Sequence, residues 1–250
     1  MKIINIMPMA GEGARFIKQK YFIHKPFIQI HNNYMFLEAS KTFFKTDKFI
    51  YIYKKPQNKK IRYLKIEDLI DKKILSKTKV IYLKKSTKGQ ADTCKKAFKH
   101  INQNDALFIH SCDSYFKINN KKILNLLNFN DIIVFTKRAN NFNIKNYNQF
   151  GWVHSNNKNI LNISCKNKAS KNIKNDNVII GSFLFKNKKI LNHGLKSLVL
   201  KKQKVNNEYY LDMVVNECLK LKYSIKEYKI KKLHSFGTPS ELKTNINKRK

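Results

Sequence analysis

The sequence predicts an α/β sandwich in which helices cover both faces of a mostly parallel sheet. Three observations predict it. Short runs rich in Ile, Val, Phe and Tyr recur through the first half of the chain. Helix-like stretches alternate with them. Two loop segments, "MAGEGARF" and "HSCDSYF", directly follow such runs, at the strand ends where ligands of open α/β sheets bind.

The expected strands are "KIINIM" (2–7), "KFIYIY" (48–53), "KVIYL" (79–83), "ALFIH" (106–110) and "DIIVFT" (131–136). Each is short, apolar and rich in Ile, Val, Phe and Tyr, and reads as a buried strand of a mostly parallel sheet. The expected helices between them are "MFLEASKTFF" (35–44), "NKKIRYLKIEDLI" (58–70), "QADTCKKAFKHI" (90–101) and "NKKILNLL" (120–127). The second half changes character. "GWVHSNN" and "KNILNISCKN" read as a hairpin turning on Asn and Ser, and "NVIIGSFLFK" (177–186) as a further strand. "NEYYLDMVVNECLKL" (207–221) reads as an amphipathic helix and "YSIKEYKI" (223–230) as a strand. "HSFGTPSEL" (234–242) ends in a helix begun by Pro239 with Thr238 as its cap. No Gly/Pro/Ser-rich linker and no repeat interrupts the chain, so 1–242 is expected to be one domain and 243–250 a charged, frayed tail.

At 250 residues the chain is long enough to bury a substantial core. Its apolar residues, 42%, set it apart from disordered polycations. No apolar run approaches the length of a membrane span, and "IINIM" is too short for a signal-peptide core; the chain is read as cytoplasmic. Cys94, Cys112, Cys165 and Cys218 are widely spaced, which argues for free thiols over a zinc site or a disulfide framework. The formal charge of +36 raises a nucleic-acid partner. Against it, the basic residues are almost all lysines, with Arg15, Arg62, Arg138 and Arg249 the arginines, and they are spread along the whole chain. Lys, Asn, Ile, Phe and Tyr have A/T-rich codons, so base composition accounts for the profile without a polyanionic partner.

Three segments carry candidate chemistry. In "AGEGARF…HKPF", Gly11 and Gly13 permit a tight turn that aims backbone N–H groups at phosphate. Arg15 offers a planar fork and Lys25 a point charge. The segment is neither a P-loop nor a dinucleotide fingerprint, since Phe16 stands where the latter has its third glycine. In "IHSCDSYF", Asp113 follows a strand, where a carboxylate can hold Mg²⁺ against phosphates or simply cap a turn. Strand alternation puts His110 and Cys112 on one face and Asp113 on the other, which argues against zinc. In "STKGQADT", Gly89 opens a helix and Gln90 can pair with a base edge, though on its own the segment reads better as an ordinary loop and helix N-terminus.

Together these segments resemble the nucleotidyltransferases that join a nucleoside triphosphate to a sugar 1-phosphate and release pyrophosphate, in particular those serving capsule and surface polysaccharides. "MAGEGARF" is similar to the family's A-G-x-G-[ST]-R-[LF] loop, and "HKPF" to its K-P element. "KGQADT" resembles the base-binding segment and "SCDSYF" the strand end with the metal aspartate. "FGWVHSN", "IIGSFLFK" and "FGTPSEL" resemble the sugar-proximal strand, the following strand and the C-terminal G-T-P turn. The order matches over nearly the whole chain.

The resemblance implies a Rossmann-like three-layer α/β/α sandwich with a mixed sheet. It implies in-line attack of a phosphorylated acceptor on the α-phosphorus of an NTP. Arg15 would bind the leaving pyrophosphate, Lys25 the α-phosphate, and Asp113 a Mg²⁺ ion. Ala10, Gly11 and Gly13 with Gln90 would bind the nucleotide. Gly151 would leave room for the sugar ring, with Gly181 on the next strand and Lys166 near the sugar phosphate. Three positions depart from the pattern: Ala14 replaces the [ST] before Arg15, Cys165 the glutamate of the E-K pair, and Ser235 the second metal aspartate. An inactive homologue stays open. So does a glycosyltransferase of related fold, although Asp113 lacks the second aspartate of a D-x-D. The expected partners are an NTP and a phosphorylated small molecule; a homo-oligomer is compatible with the sequence. Glu12, a carboxylate inside a loop meant for phosphate, is expected to point to solvent.

Overall fold

The structure, a computed structural model, describes residues 2–46, 48–156 and 159–247. Among them, one nine-stranded sheet organises the chain. Its strands are β1 (Ile3–Met9), β2 (Phe49–Lys54), β3 (Thr78–Leu83), β4 (Ala106–His110), β5 (Ile132–Arg138), β6 (Gly151–Asn156), β7 (Asn159–Cys165), β8 (Asn177–Phe185) and β9 (Ile225–Lys229). The pairs β3–β2, β2–β1, β1–β4 and β5–β9 are parallel. Strand β8 runs antiparallel between β4 and β5, and β6–β7 is an antiparallel hairpin. The expected hairpin turn at 157–158 lies outside the described residues.

Alternation along the strands separates the core into two layers. Ile4, Ile6, Ile50, Ile52, Leu107 and Ile109 face one side of the sheet. Met7, Met9, Tyr51, Tyr53 and Phe108 face the other. The period of two in side-chain direction does this directly. Helices α1 (Ala14–Ile17), α2 (Met35–Ser40), α3 (Lys72–Leu75), α4 (Gln90–Lys95), α5 (Asn120–Phe129), α6 (Asn141–Lys145), α7 (Lys188–Leu200), α8 (Leu211–Lys220) and α9 (Pro239–Asn247) complete the chain. Helices α4, α7 and α8 pack on the first layer; α2 and α5 pack on the second. The result is a three-layer α/β/α sandwich with a mixed sheet. No described helix is long and apolar enough to cross a membrane.

Two expectations are corrected. Residues 58–70 do not form a helix; only a 3₁₀ turn at Glu67–Leu69 is present. The backbone of Arg62 is used elsewhere, donating to Phe22 (2.8 Å) and accepting from His24 (2.7 Å), and so cannot close helical turns. The helix at 90–101 stops at Lys95 and resumes as a 3₁₀ turn at Phe98–His100. Helix α9 continues to Asn247, into the segment expected to form the charged tail. The longest helix, α7, was not anticipated from the sequence, where a central glycine and two basic residues at its start obscure the periodicity. Asn187 caps it by accepting from Lys189 N (3.0 Å) and Ile190 N (3.2 Å). That central glycine, Gly194, is what lets α7 approach α8. A Cβ there would lie 2.6 Å from Cys218 Sγ and 2.8 Å from Val214 O. Gly194→Ala is expected to destabilise the fold by about 1–3 kcal/mol through overpacking, read as a lower urea midpoint with an unchanged slope.

The topology opens a crevice. Strand order reverses between β1, whose chain continues to β2 on one side, and β4, which lies on the other. On one edge β8 pairs first with β6 (Asn177–Ile179) and then with β4 (Ser182–Phe185). Between these stretches its register against β5 shifts, and Gly181 adopts φ +73°. Bulges of this kind re-aim a strand beside a site.

Candidate active site

After β1 the chain turns at Gly13, whose φ of +70° favours glycine. A Cβ there would also sit 3.1 Å from Lys25 Cβ. The turn opens α1, which buries Phe16 and leaves Arg15 exposed. His24 fastens the loop to the sheet. Its Nε2 lies 2.9 Å from Gly11 O and its Nδ1 2.9 Å from Tyr53 Oη. A carbonyl can only accept, so Nε2 carries the proton and Nδ1 accepts from the tyrosine hydroxyl. Burial lowers the His24 pKa and favours this neutral form.

Glu12 departs from the expectation of a free carboxylate in solvent. Its Oε1 pairs with Lys54, the last residue of β2, and its Oε2 accepts from Gln57 N at 3.1 Å. Lys54 has a side chain only 6% exposed, so Glu12 neutralises a buried cation and draws the loop onto β2. Burial raises the Glu12 pKa, but the bonds from Lys54 and Gln57 outweigh it and hold it below its ordinary value.

Lys25 begins a 3₁₀ turn, Lys25–Phe27, and its Nζ lies 2.5 Å from Asp113 Oδ2. The two side chains are 19% and 24% exposed. Burial disfavours both charges, yet each group stabilises the other: Lys25 is held above its ordinary pKa and Asp113 below. The pair thus joins the carboxyl ends of β1 and β4. Asp113 is further placed by the C-terminal segment. Ser114–Tyr115 pairs antiparallel with His234–Ser235, and Phe236 N donates to Asp113 O at 2.7 Å. Gly237 closes this corner; a Cβ there would meet Asp113 Oδ2 at 3.3 Å and Glu241 Oε2 at 3.4 Å. Glu241 N donates to Thr238 Oγ1 (3.2 Å) and Thr238 Oγ1 donates to Glu241 Oε2 (3.0 Å), a reciprocal cap at the start of α9.

His110 is absorbed by the core. Its Nε2 donates to Ser114 O (2.9 Å) and its Nδ1 accepts from Ser182 Oγ (2.7 Å), while burial pushes its pKa down to about 4. Cys112 is buried beside Lys25 and Asp113, and desolvation pushes its thiol up to about 12. Among the described residues, no group of three or more His, Cys, Asp and Glu side chains is placed to hold a metal.

The "KGQ" loop is fastened to the segment before α8. Tyr209 N donates to Lys88 O (2.8 Å) and Ala91 N to Tyr209 O (3.0 Å). Gly89 makes this possible, since at φ +107° a Cβ would lie 2.6 Å from Tyr209 N. Gln90, Tyr210 and Asp212 consequently face one space. That space is a cavity of about 260 Å³ lined by Arg15, Lys25, Gln90, Asp113, Gly151 and Gly181 among the predicted residues. Ala10, Gly11, Gly13 and Lys166 do not line it. Lys166 instead donates from Nζ to Tyr210 Oη at 2.7 Å, with the ammonium 4.4 Å from the ring centroid.

The cavity also holds side chains that the sequence did not single out: Asp212, Tyr210, Lys137 and Glu241. Burial lowers Lys137 from its ordinary pKa, against the pull of Glu241. Asp212 occupies the room beside Gly151 that was expected for a sugar ring: a Cβ on Gly151 would lie 2.2 Å from Asp212 Oδ2. In the sequence Asp212 looks like an ordinary first-turn helix acid, and only Gly151 on a distant strand hints at its neighbour.

No protein-family model matches the chain, and no curated protein matches it. Solved structures do. A nucleoside-diphosphate-sugar pyrophosphorylase from Vibrio cholerae is 17% identical, with 98% of this chain and 100% of that one covered at a TM-score of 0.77. A UDP-glucose pyrophosphorylase solved with UDP-glucose is 17% identical, covering 100% and 98% at 0.74. An inositol-1-phosphate CTP transferase from T. maritima is 14% identical, covering 99% and 96% at 0.66. At such identities the likeness speaks to architecture, and over its whole length the chain has the fold of the nucleoside-diphosphate-sugar pyrophosphorylases.

Proposed function

We propose that the protein is a Mg²⁺-dependent nucleotidyltransferase that joins an NTP to a sugar 1-phosphate, or a similar small phosphorylated acceptor, for surface polysaccharide synthesis. The observation that carries the reading is the Lys25–Asp113 pair at the ends of β1 and β4, with Arg15 and Gln90 on the same cavity. An acceptor phosphate oxygen attacks the α-phosphorus. The new P–O bond forms as the bond to the β-phosphate's bridging oxygen breaks, and pyrophosphate leaves with the electron pair. Positioning and charge neutralisation are the main demands of such a reaction. Lys25, kept protonated by Asp113, neutralises charge at the α-phosphate. Arg15 takes the charge of the leaving pyrophosphate, and Gln90 meets the base.

The donor set fits Mg²⁺ held mainly by substrate phosphates. Asp113 Oδ2 and Glu241 Oε2 are hard oxygens that both lie against Gly237, and Mg²⁺ commonly takes one or two carboxylates while substrate and water complete its shell. Asp113, with Glu241 in place of the acid missing at Ser235, would hold the ion, which supplies charge neutralisation on the phosphates. The test is pyrophosphate release from each NTP against a panel of sugar 1-phosphates and polyol phosphates. Arg15→Ala is expected to raise the KM for the NTP about tenfold, the scale of one charged hydrogen bond. No release with any pair, together with Arg15→Ala binding nucleotides like the unaltered chain, would overturn the reading.

A further inference from the structure

Asp212 is the cavity's unexplained carboxylate. It lies in the first turn of α8 and lines the space shared by Gln90 and Gly181. Among the described residues no ion pair holds it. Its hydrogen-bond donors are the Cys165 thiol at the end of β7 and its own backbone N–H, and a thiol is a weak donor. Lys166 is near enough to attract it, but that ammonium is committed to the Tyr210 hydroxyl and ring face. Two further features keep the carboxylate where it is. Gly151 has no Cβ, and any side chain there would displace Oδ2. The Lys88–Tyr209 and Ala91–Tyr209 hydrogen bonds fix the approach to α8.

A carboxylate left under-satisfied in a cavity is suited to accepting hydrogen bonds from a ligand. The cavity, about 260 Å³, lies just below the usual range of ligand sites, and Asp212 lines it beside Gly151. The same cavity carries Arg15 and Lys25, which suit phosphate. Resting on the function proposed above, we infer that Asp212 is the residue that recognises the acceptor by accepting hydrogen bonds from its hydroxyl groups, with Gly151 and Cys165 as its positioning residues. The acceptor-binding carboxylate thus comes from helix α8, and the strand position at Cys165 supplies a donor to it.

The test uses the full chain and the most active acceptor among the 1-phosphates of glucose, galactose, mannose and N-acetylglucosamine. Above about pH 7, where the Asp212 carboxyl is ionised, Asp212→Asn is expected to lower kcat/KM for that acceptor about 10–100-fold, the scale of a hydrogen bond to a charged group, and to leave the KM for the NTP unchanged. With monodeoxy acceptors, the analogue lacking the hydroxyl that Asp212 holds should lose activity with the unaltered chain and lose little more with the variant. That non-additivity separates direct contact from a structural role. Asp212→Ala, which removes the charge and adds no bulk, serves if the asparagine variant does not fold. Pyrophosphate release by the unaltered chain, with an Asp212 variant whose acceptor and NTP parameters change together or not at all, overturns the inference and leaves the function standing. No release by the unaltered chain overturns both.

Discussion

Lys25→Ala is expected to lower the rate of pyrophosphate release by about 10²–10³-fold, the effect of removing one preorganised charge from a transition state. The direction follows from where the ammonium sits and what keeps it charged. Its Nζ is 2.5 Å from Asp113 Oδ2, at the junction of the β1 and β4 ends. Asp113 more than offsets burial, so Lys25 stays protonated throughout the neutral range. Lys25→Met keeps the length of the side chain and removes the charge, and it should show the same loss. Both variants also remove the main charge opposing burial at Asp113, leaving the Ser111 hydrogen bond and His110, so its pKa should rise. The accompanying loss of stability is smaller than for a fully buried pair, because both side chains keep about a fifth of their surface in water. Steady-state pyrophosphate assays read the first effect and denaturant midpoints the second. A variant with unaltered turnover would remove Lys25 from the reaction.

What the sequence made legible was local, and what it hid was relational. Strands β1, β2, β4 and β5 were readable because they are apolar runs buried on both faces, and β3, half-exposed at the sheet edge, because it is rich in Val, Ile and Tyr; Arg15, Lys25 and Asp113 stood out in the segments that follow such runs. Helix α7 was not readable, because Gly194 and the basic residues at its start weaken the pattern that its buried Ile190, Leu191, Leu195 and Leu198 would otherwise give. The false helix at 58–70 shows the converse: Ile61, Ile66 and Ile70 are buried in a periodic-looking stretch, but the Arg62 backbone is paired with the segment around Phe22 and His24. Glu12 misled for the same reason. Its partner, Lys54, is 42 residues away, and no neighbour in sequence announces that a buried ammonium needs a counter-charge. The family resemblance singled out Gly151 as leaving room for a sugar ring, but the group beside it, Asp212, emerges only when α8 is laid against the hairpin.

Asp212→Asn is expected to stabilise the protein above neutral pH while impairing acceptor use. Burial pushes the Asp212 pKa from an ordinary 3.8 up to about 7, against the smaller opposing effects of Cys165, its own N–H and Lys166. Below about pH 4 the carboxyl is protonated in both folded and unfolded chains and contributes nothing. Between about pH 4 and 7 the folded chain keeps a proton that the unfolded chain releases, so each unit of rising pH costs about 1.4 kcal/mol of stability. Above about pH 7 the loss is complete, with an upper limit of about 4 kcal/mol. Asparagine does not titrate. The difference in unfolding free energy between variant and unaltered chain should therefore be small near pH 4, grow toward about pH 7 and level off, with the variant the more stable. Urea midpoints across that range read it without any substrate. A difference independent of pH, or a variant less stable near pH 8, would show that Asp212 is a structural acid. A carboxylate that the fold would be more stable without is what a site under selection for binding retains. The stability profile and the acceptor kinetics therefore test the same carboxylate by independent routes.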